Sequence, residues 1–428
     1  MQEVVIVSGA RTAVGAFGGG LKEVAAVDLG AAVIRDVFRR KGLRPVVSKS
    51  MQTVAPDLMR GKGPIELERR YQDWPADAQA ISVDEVVMGN VLQAALGQNP
   101  ARQAMIRAGL PKETPAFTVN KVCGSGLKAI ALAAASIAAG QAEVIVAGGM
   151  ENMSQVPMAL PKGRWGYRME VTGTGAIYDL MVFDGLYEIF YGYHMGLTAE
   201  NIAAAYDITR EAQDELGALS HARALKAINE GLFDEEITPV VIKTRKGETV
   251  FARDERPMET SLEKMARLRP VFRPDGTVTA GNASGINDAA AAVLLMTREK
   301  AEALGLEVWA RIGPFASGGV DPAFMGIGPV PAVRKVLHDA GQTIDAIDLI
   351  ELNEAFAAQA IACCRELKLD VARPNALGSG ISIGHPIGCT GARQMVTAIH
   401  QMRRHNLATG LVSMCIGGGM GMAMFIER

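Results

Sequence analysis

The sequence predicts an α/β protein of two related doubly wound halves, with a loop domain inserted into the first. Apolar strand patterns alternate with helical patterns over most of the chain, which favours parallel strands covered by helices. Both halves also repeat one order of features: a strand followed by Asn, a Gly-Ser-Gly turn, and a strand that ends in glycines. The length of 428 residues allows two to three domains at roughly 150 residues each.

Apolar runs bounded by turn residues place the elements of this pattern. Strands are predicted at 4–7, 85–88, 116–120, 143–147 and 289–296, and helices at 127–139 and 210–229. Asp28 stands before an apolar helical face and is predicted to cap the first helix. Two segments break the rhythm. Residues 44–82 mix charged residues with prolines, a composition that predicts a solvated surface excursion or, alternatively, a lid or partner-binding segment. Residues 157–274 are predicted to form the inserted loop domain.

Composition argues against several functional classes. The chain has 44 basic and 46 acidic residues and a net charge of −2, which disfavours a protein that mainly grips nucleic acid or an anionic membrane. No apolar stretch reaches the ~20 residues of a spanning helix, and the chain begins on a strand pattern rather than a secretory leader. The five cysteines include no Cys-x-x-Cys pair, so no disulfide framework or zinc site is expected, and free thiols indicate a reducing compartment such as the cytoplasm.

The first candidate for chemistry is Cys123, in a Cys-Gly-Ser-Gly turn between a predicted strand and helix. A thiol at a helix start meets unpaired N–H groups and the positive end of the helix dipole, which lowers its pKa and favours the thiolate. Gly124 and Gly126 would let a substrate approach the backbone closely. On these grounds alone, a nucleophile and an inert small residue in a tight turn both remain open.

Two residues of the second half occupy comparable turns. His385 is held between glycine and proline in Gly384-His-Pro-Ile-Gly388. It is either a structural histidine or the partner of Cys123 in a thiolate–imidazole pair formed between the halves. Asn353 follows a predicted strand, where it could hold a water or an oxyanion, or else cap the next helix.

Cys415 begins the last glycine-rich segment, Cys415-Ile-Gly-Gly-Gly-Met-Gly421. A thiol beside bare backbone can reach a ligand, and the glycine N–H groups can bind an oxyanion. Dinucleotide binding is the competing interpretation. It is disfavoured because no long helix follows the glycine run.

Four blocks in this order resemble the thiolase family. They are Val122-Cys-Gly-Ser-Gly-Leu-Lys128, Asn353-Glu-Ala-Phe-Ala-Ala-Gln359, Gly384-His-Pro-Ile-Gly388 and Cys415-Ile-Gly-Gly-Gly-Met-Gly421. The resemblance implies a five-layer α/β/α/β/α fold. Residues 1–151 with 287–307 would form the N-terminal half, 152–286 a CoA-binding loop domain, and 308–428 the C-terminal half. The insertion at 44–82 has no counterpart in the family pattern.

The resemblance also implies roles for the catalytic positions. Cys123 matches the acylated nucleophile, His385 the base that activates it, and Cys415 the acid/base that handles an α-proton. Asn353 matches the residue that holds a catalytic water, which with His385 would form one oxyanion hole. The N–H groups of Cys123 and Gly417 would form the other.

Further positions match residues that contact the substrate in that family. His194 and Ser284 would line the pantetheine, and Met195 would shorten the acyl pocket. Met325 would also contact the substrate, and Arg256 would lie near the CoA nucleotide. No metal ligand is implied.

The implied activity is reversible Claisen condensation of two acetyl-CoA to acetoacetyl-CoA and CoA through an acetyl-cysteine. CoA thioesters would be substrates, with no bound cofactor, in a homotetramer of two tight dimers that serves fatty acid metabolism. A thiolase for longer or dicarboxylic 3-oxoacyl-CoA and a non-catalytic CoA-binding scaffold remain alternatives. A ketoacyl-synthase relative is disfavoured because Asn353 stands where that class usually has a second catalytic histidine.

Overall fold

The computed structural model describes residues 2–169, 175–245 and 247–428; residues 170–174 and 246 of the predicted loop domain lie outside the described residues. The principal strands are β1 (Val4–Thr12), β2 (Glu85–Gly89), β3 (Ala116–Val119), β4 (Val144–Asn152), β5 (Asn287–Thr297), β6 (Ala310–Gly319), β7 (Leu349–Leu352), β8 (Thr409–Ile416) and β9 (Met420–Glu427). The principal helices are α1 (Ala26–Arg39), α2 (Pro100–Arg107), α3 (Ser125–Ala138), α4 (Gly196–Ala205), α5 (Arg210–Asn229), α6 (Pro329–Ala340), α7 (Ala357–Leu367) and α8 (Thr390–His405).

The two halves share one strand order, as the repeated sequence features predicted. The N-terminal half runs β3-β2-β4-β5-β1, and the C-terminal half runs β7-β8-β9-β6. In each half two or more parallel strands are followed by an antiparallel one. The halves join where β1 and β6 pair antiparallel, with Val5 opposite Arg311 and Ile6 opposite Ala310.

Alternating burial along the strands divides the molecule into five layers. Odd residues of β5 from 289 to 295 pack with α3 and α8, whereas even residues from 290 to 296 pack with α1 and α2. In β9, Met422, Met424 and Ile426 face the same central helices, while Ala423 and Phe425 face α6 and α7. The order is therefore helices, sheet, central helices, sheet, helices, which is the five-layer α/β/α/β/α arrangement.

The central helices position the turns that carry the candidate residues. Helix α3 is apolar nearly all round because both sheets cover it. It begins directly after the Cys123 turn, and α8 begins directly after the His385 turn. The first-helix cap was predicted wrongly. Helix α1 begins at Ala26, and Asp28 lies in its first turn, where it pairs with Arg107.

Between β4 and β5 the chain forms α4, α5 and short elements. These are Met153–Gln155, Met158–Ala159, Tyr178–Asp179, Val182–Leu186, Tyr187–Glu188, Tyr193–His194, Ile237–Thr238, Val240–Thr244, Gly247–Phe251 and Leu262–Ala266. Short elements elsewhere are Gly15–Ala16, Leu43–Pro45, Lys49–Thr53, Glu66–Arg69, Gln79–Ile81, Arg298–Ala303, Pro322–Ile327 and Ile344–Ala346.

The segment 44–82 is more firmly docked than the solvated excursion expected from its composition. Trp74 packs edge-on against Phe38 of α1, with ring centroids 6.0 Å apart. The buried Glu68 carboxylate accepts a hydrogen bond from the Lys112 backbone N–H at 2.8 Å. None of the candidate site residues belongs to this segment.

Deleting this segment tests whether it acts on the site. Joining Leu43 to Val83 through a short linker is expected to lower the melting temperature, because the Trp74 and Glu68 contacts are lost. We expect turnover to stay within about tenfold of the parent, since the segment contacts α1 and Lys112 and contains no candidate site residue. A soluble, folded deletion variant without activity would show instead that the segment belongs to the site.

Candidate active site

The Cys123 turn is a tight connection between β3 and α3. Val122 has φ +47°, an unusual left-handed conformation for a β-branched residue. The Ser125 hydroxyl donates to the Val122 carbonyl at 2.7 Å and accepts from the Lys121 N–H at 2.8 Å. Gly124 cannot carry a side chain, because a Cβ there would lie 2.4 Å from Ile416 Cδ1. These contacts hold the thiol at the N-terminus of α3.

The electrostatic prediction for this thiol is wrong. Burial raises the pKa of Cys123 to about 11, although the N–H groups of Gly417 and of Cys123 itself hydrogen-bond the sulfur and act in the opposite direction. The cost of burying a thiolate exceeds the gain from these N–H groups. The resting thiol is therefore protonated at neutral pH.

His385 is also neutral at rest. Burial lowers the pKa of its imidazole to about 3, and the charge of Arg393 contributes in the same direction. Its Nδ1 lies 2.7 Å from the Thr390 hydroxyl, which donates to the Pro386 carbonyl at 2.9 Å. We assign the ring proton to Nδ1, because the Thr390 oxygen then accepts it. This tautomer leaves the lone pair of Nε2 free to act as a base.

The histidine turn packs against the start of α3. A Cβ built on Gly126 would lie 3.1 Å from the Gly388 carbonyl oxygen, and Ile387 packs in one apolar cluster with Cys123. The His385 backbone N–H donates to Asn287 Oδ1 at 3.0 Å. The structure thus brings the two predicted turns together.

Asn353 lies directly after β7 and contacts the histidine. Its Nδ2 is 3.4 Å from Nδ1 and 3.5 Å from Nε2 of His385. Its Oδ1 is buried and has no hydrogen-bond partner among the described residues, so it can accept a bond from water or substrate. The helix-cap alternative is excluded, because α7 begins at Ala357 with Phe356 as the capping position.

Cys415 and Gly417 approach the nucleophile from the end of β8. Cys415 is fully buried, which raises its pKa well above that of a free thiol, and the Cys123 sulfur adds to this effect. Gly418 and Gly419 have φ of +80° and +78°, so the backbone turns sharply after Gly417 and presents its N–H to Cys123. The two thiols of the two halves therefore share one site.

The predicted acyl-pocket residues gather around Cys415. Met195 and Met325 pack with Cys415 and Phe356 in one apolar cluster. A Cβ built on Gly417 would lie 2.6 Å from Met195 Cε. A cleft of about 400 Å³ reaches Met195 and Gly417 from the surface.

The remaining predicted substrate residues lie near this cluster, His194 in the short strand Tyr193–His194 and Ser284 in a loop. The His194 ring stacks on Phe272 with centroids 4.7 Å apart, and burial lowers its pKa. The Ser284 N–H donates to the Ala355 carbonyl at 2.9 Å, which joins its loop to the Asn353 loop. Their contacts with CoA remain predictions.

Arg256 is bound to protein carbonyls. Its guanidinium donates to Ile381 at 2.7 Å, Ala283 at 3.0 Å and Ala280 at 3.4 Å. It thereby ties the Ser284 loop to the stretch before His385. The predicted nucleotide contact remains a prediction, and this geometry favours a role in positioning the loop.

Three residues of the site were not predicted: Thr390, Asn287 and Glu151. Thr390 follows His385 by five positions, and that spacing could have suggested a contact. Asn287 and Glu151 act through backbone N–H groups distant in sequence, so no local pattern marks them. Among the described residues no group of three or more metal-ligating side chains converges, and no helix is long and apolar enough to cross a membrane.

The fold and this site define a thiolase. The N-terminal thiolase domain matches residues 72–299 and the C-terminal thiolase domain matches residues 306–428. The chain therefore belongs to the thiolase family of acyltransferases.

Individual relatives match over the full length of the chain. The chain is 50% identical to the acetyl-CoA acetyltransferase of Syntrophomonas wolfei subsp. wolfei, covering 100% of this chain and 99% of that protein. It is also 50% identical to the Escherichia coli K12 acetyl-CoA acetyltransferase, covering 100% of both. The crystal structure of the Bacillus anthracis acetyl-CoA acetyltransferase aligns with a TM-score of 0.88 at 43% identity, covering 100% of this chain and 99% of that one.

Proposed function

We propose that this protein is an acetyl-CoA acetyltransferase that condenses two acetyl-CoA reversibly to acetoacetyl-CoA and CoA. The observation that carries the proposal is the pair of buried thiols, Cys123 and Cys415, brought from two halves to one site beside the neutral His385. The names of the full-length relatives support acetyl-CoA as the substrate. CoA thioesters enter as substrates, and the chain's own residues together with one water held by Asn353 carry out the proposed steps.

In the first step Cys123 takes the acetyl group. Its sulfur attacks the thioester carbon of acetyl-CoA while His385 Nε2 accepts the thiol proton. The N–H groups of Cys123 and Gly417 bind the oxygen that becomes negative. When the carbon–sulfur bond to CoA breaks, the protonated Cys415 gives its proton to the CoA sulfur. This leaves acetyl-Cys123, a protonated His385 and a Cys415 thiolate.

In the second step the Cys415 thiolate removes an α-proton from a second acetyl-CoA. Burial makes that thiolate a strong base, which suits a weak carbon acid. The protonated His385 and a water held by Asn353 Oδ1 stabilise the enolate oxygen. The enolate carbon attacks the acetyl group, and Cys123 leaves and recovers its proton from His385. All three groups return to their starting protonation states.

Chain-length preference tests the acetyl-CoA assignment. We expect the parent to prefer four-carbon over eight-carbon 3-oxoacyl-CoA in thiolysis, because Met195 and Met325 fill the space beside Cys415. Met195→Ala is expected to raise the eight-to-four ratio of kcat/KM about tenfold or more, as one methylene of fit is worth about 1–3 kcal/mol. Met59→Ala, at an exposed methionine of the segment 44–82, is the control and should leave the ratio unchanged. Equal parent activity on both lengths would favour the long-chain alternative.

The assembly and compartment are part of this proposal. Exposed apolar side chains concentrate between residues 158 and 191, including Met158, Leu160, Trp165 and Phe190. Such a surface supports contact between copies of the chain, in keeping with a homotetramer of dimers. The five free thiols support a reducing cytoplasmic location. A role in fatty acid metabolism is consistent with the proposed substrates.

A further inference from the structure

Glu151, near the end of β4, is a fully buried carboxylate that the proposed steps do not use. Its oxygens accept hydrogen bonds from Asn90 Nδ2 at 2.7 Å, Val91 N at 3.0 Å, Leu92 N at 3.2 Å and Gly388 N at 2.9 Å. The first three donors follow β2 in the N-terminal half, whereas Gly388 ends the turn that holds His385. One carboxylate therefore connects a loop of each half.

These two loops supply the apolar wall around the nucleophile. The side chains of Val91 and Leu92 pack in one buried cluster with Cys123 and Ile387, the residue before Gly388. Removing the carboxylate would leave buried N–H groups without an acceptor, which is costly. The position of the loop of residues 90–92 relative to the histidine turn thus depends on Glu151.

The charge of Glu151 also acts on the thiols near it. Burial is the main cause of the raised pKa of Cys123 and of Cys389, and the charge of Glu151 adds a smaller contribution in the same direction to each. Burial raises the pKa of Glu151 itself to about 7, with a smaller contribution from Asp288 on β5, against the N–H groups of Val91, Leu92 and Gly388. Every group that hydrogen-bonds Glu151 is a donor, so the ionised carboxylate satisfies them all.

We propose that Glu151 is a positioning residue of the active site, whose carboxylate fixes the loop of residues 90–92 beside Cys123 to the histidine turn and places a negative charge near the Cys123 sulfur. The inference rests on the proposed function in one respect, that Cys123 is the nucleophile.

The test compares two reactions of Cys123 in Glu151→Gln. The first is alkylation by iodoacetamide at pH 8.5, followed by peptide mass spectrometry, which needs no acyl-transfer chemistry. Loss of the neighbouring charge is expected to speed it about threefold to tenfold, because one pKa unit is a tenfold change in thiolate. The second is acetylation by acetyl-CoA, which is expected to slow at least about tenfold. A glutamine amide would place its own N–H group opposite the N–H donors that now bind Glu151, and the repulsion would displace the histidine turn. Opposite changes in the two rates are the signature of the proposal.

Two variants separate charge from packing. Glu351→Gln makes the same change at another buried carboxylate whose pKa is raised to about 7. The groups that act on Glu351 are Arg393, Gln401, Glu236 and Glu354 rather than Cys123. Glu351→Gln should not speed alkylation. Glu151→Asp keeps the charge but shortens the reach, so acetylation should slow without faster alkylation.

Particular results would overturn the inference. Alkylation of Glu151→Gln no faster than that of Glu351→Gln would refute the charge effect, as would faster alkylation of Glu151→Asp. Acetylation of Glu151→Gln at the parent rate would refute the positioning role. A measurement on the parent needs no variant to fold. Because Glu151 ionises near pH 7, a plot of the logarithm of the alkylation rate against pH should change slope there. A single slope from pH 6 to 9 would count against the charge effect. If the parent alkylates on Cys123 yet never becomes acetylated, the proposed function fails rather than this inference.

Discussion

Replacing Cys123 with serine is expected to abolish thiolysis of acetoacetyl-CoA, by about 10⁴-fold or more. A serine hydroxyl is far less acidic than a thiol, and the same burial that raises the Cys123 pKa would oppose its ionisation further. The neutral His385 would then have to deprotonate a buried alcohol. The variant should fold, because the oxygen can accept the Gly417 N–H that the sulfur accepts now. Initial rates and a melting curve on the same preparation measure both quantities.

Cys364→Ser is the matched control for this variant. Cys364 is a buried thiol on α7, in the core on the outer face of the C-terminal sheet. Its replacement should lower stability and retain turnover. Iodoacetamide should label Cys123 first, because its 9% exposure exceeds the 0–2% of the other four cysteines. Appreciable turnover in Cys123→Ser, or prior labelling of Cys363 or Cys364, would contradict the assignment.

The second large effect is expected for Cys415→Ala, which should separate the two half-reactions. Acetylation of Cys123 should persist, because CoA can leave as a thiolate and the Gly417 N–H stays in place. Condensation should fall by about 10²–10⁴-fold, since the base for the α-proton is lost. Intact-protein mass spectrometry measures acetylation, and a coupled assay measures condensation.

Hydrogen exchange identifies the carbon base directly. The parent should exchange the α-protons of acetyl-CoA with deuterated solvent, and Cys415→Ala should not, as followed by NMR. Cys364→Ala provides the control and should exchange at the parent rate. Exchange at the parent rate in Cys415→Ala would show that another group removes the proton.

The fold was predictable wherever one element carries its own pattern. The helix at 210–229 has the predicted bounds. The repeated order of a strand followed by Asn, a Gly-Ser-Gly turn and a strand ending in glycines predicted the duplication that the strand order confirms. The prediction that Asp28 caps α1 was wrong, because the helix begins earlier, at Ala26, and the Asp28 carboxylate pairs with Arg107 instead. Local spacing cannot show which long-range partner claims a side chain.

The site was predictable as a set of residues but not as a set of protonation states. A helix start suggested a thiolate at Cys123, whereas the packing of two halves around the sulfur keeps it protonated. The same burial neutralises His385 and raises the pKa of Cys415. Desolvation depends on which distant segments cover a group, and no motif records that. Glu151 was missed for the same reason, as its donors come from two separate loops.

The central claim is that Cys123 carries the acetyl group between two CoA thioesters. The most direct measurement is intact-protein mass spectrometry after incubation with acetoacetyl-CoA without free CoA, followed by peptide mapping. We predict one acetyl group per chain, on the peptide containing Cys123, and its removal on addition of CoA. The Cys123→Ser variant should gain none. No adduct on the parent, or an acetyl group on any of the other four cysteines, would contradict the account.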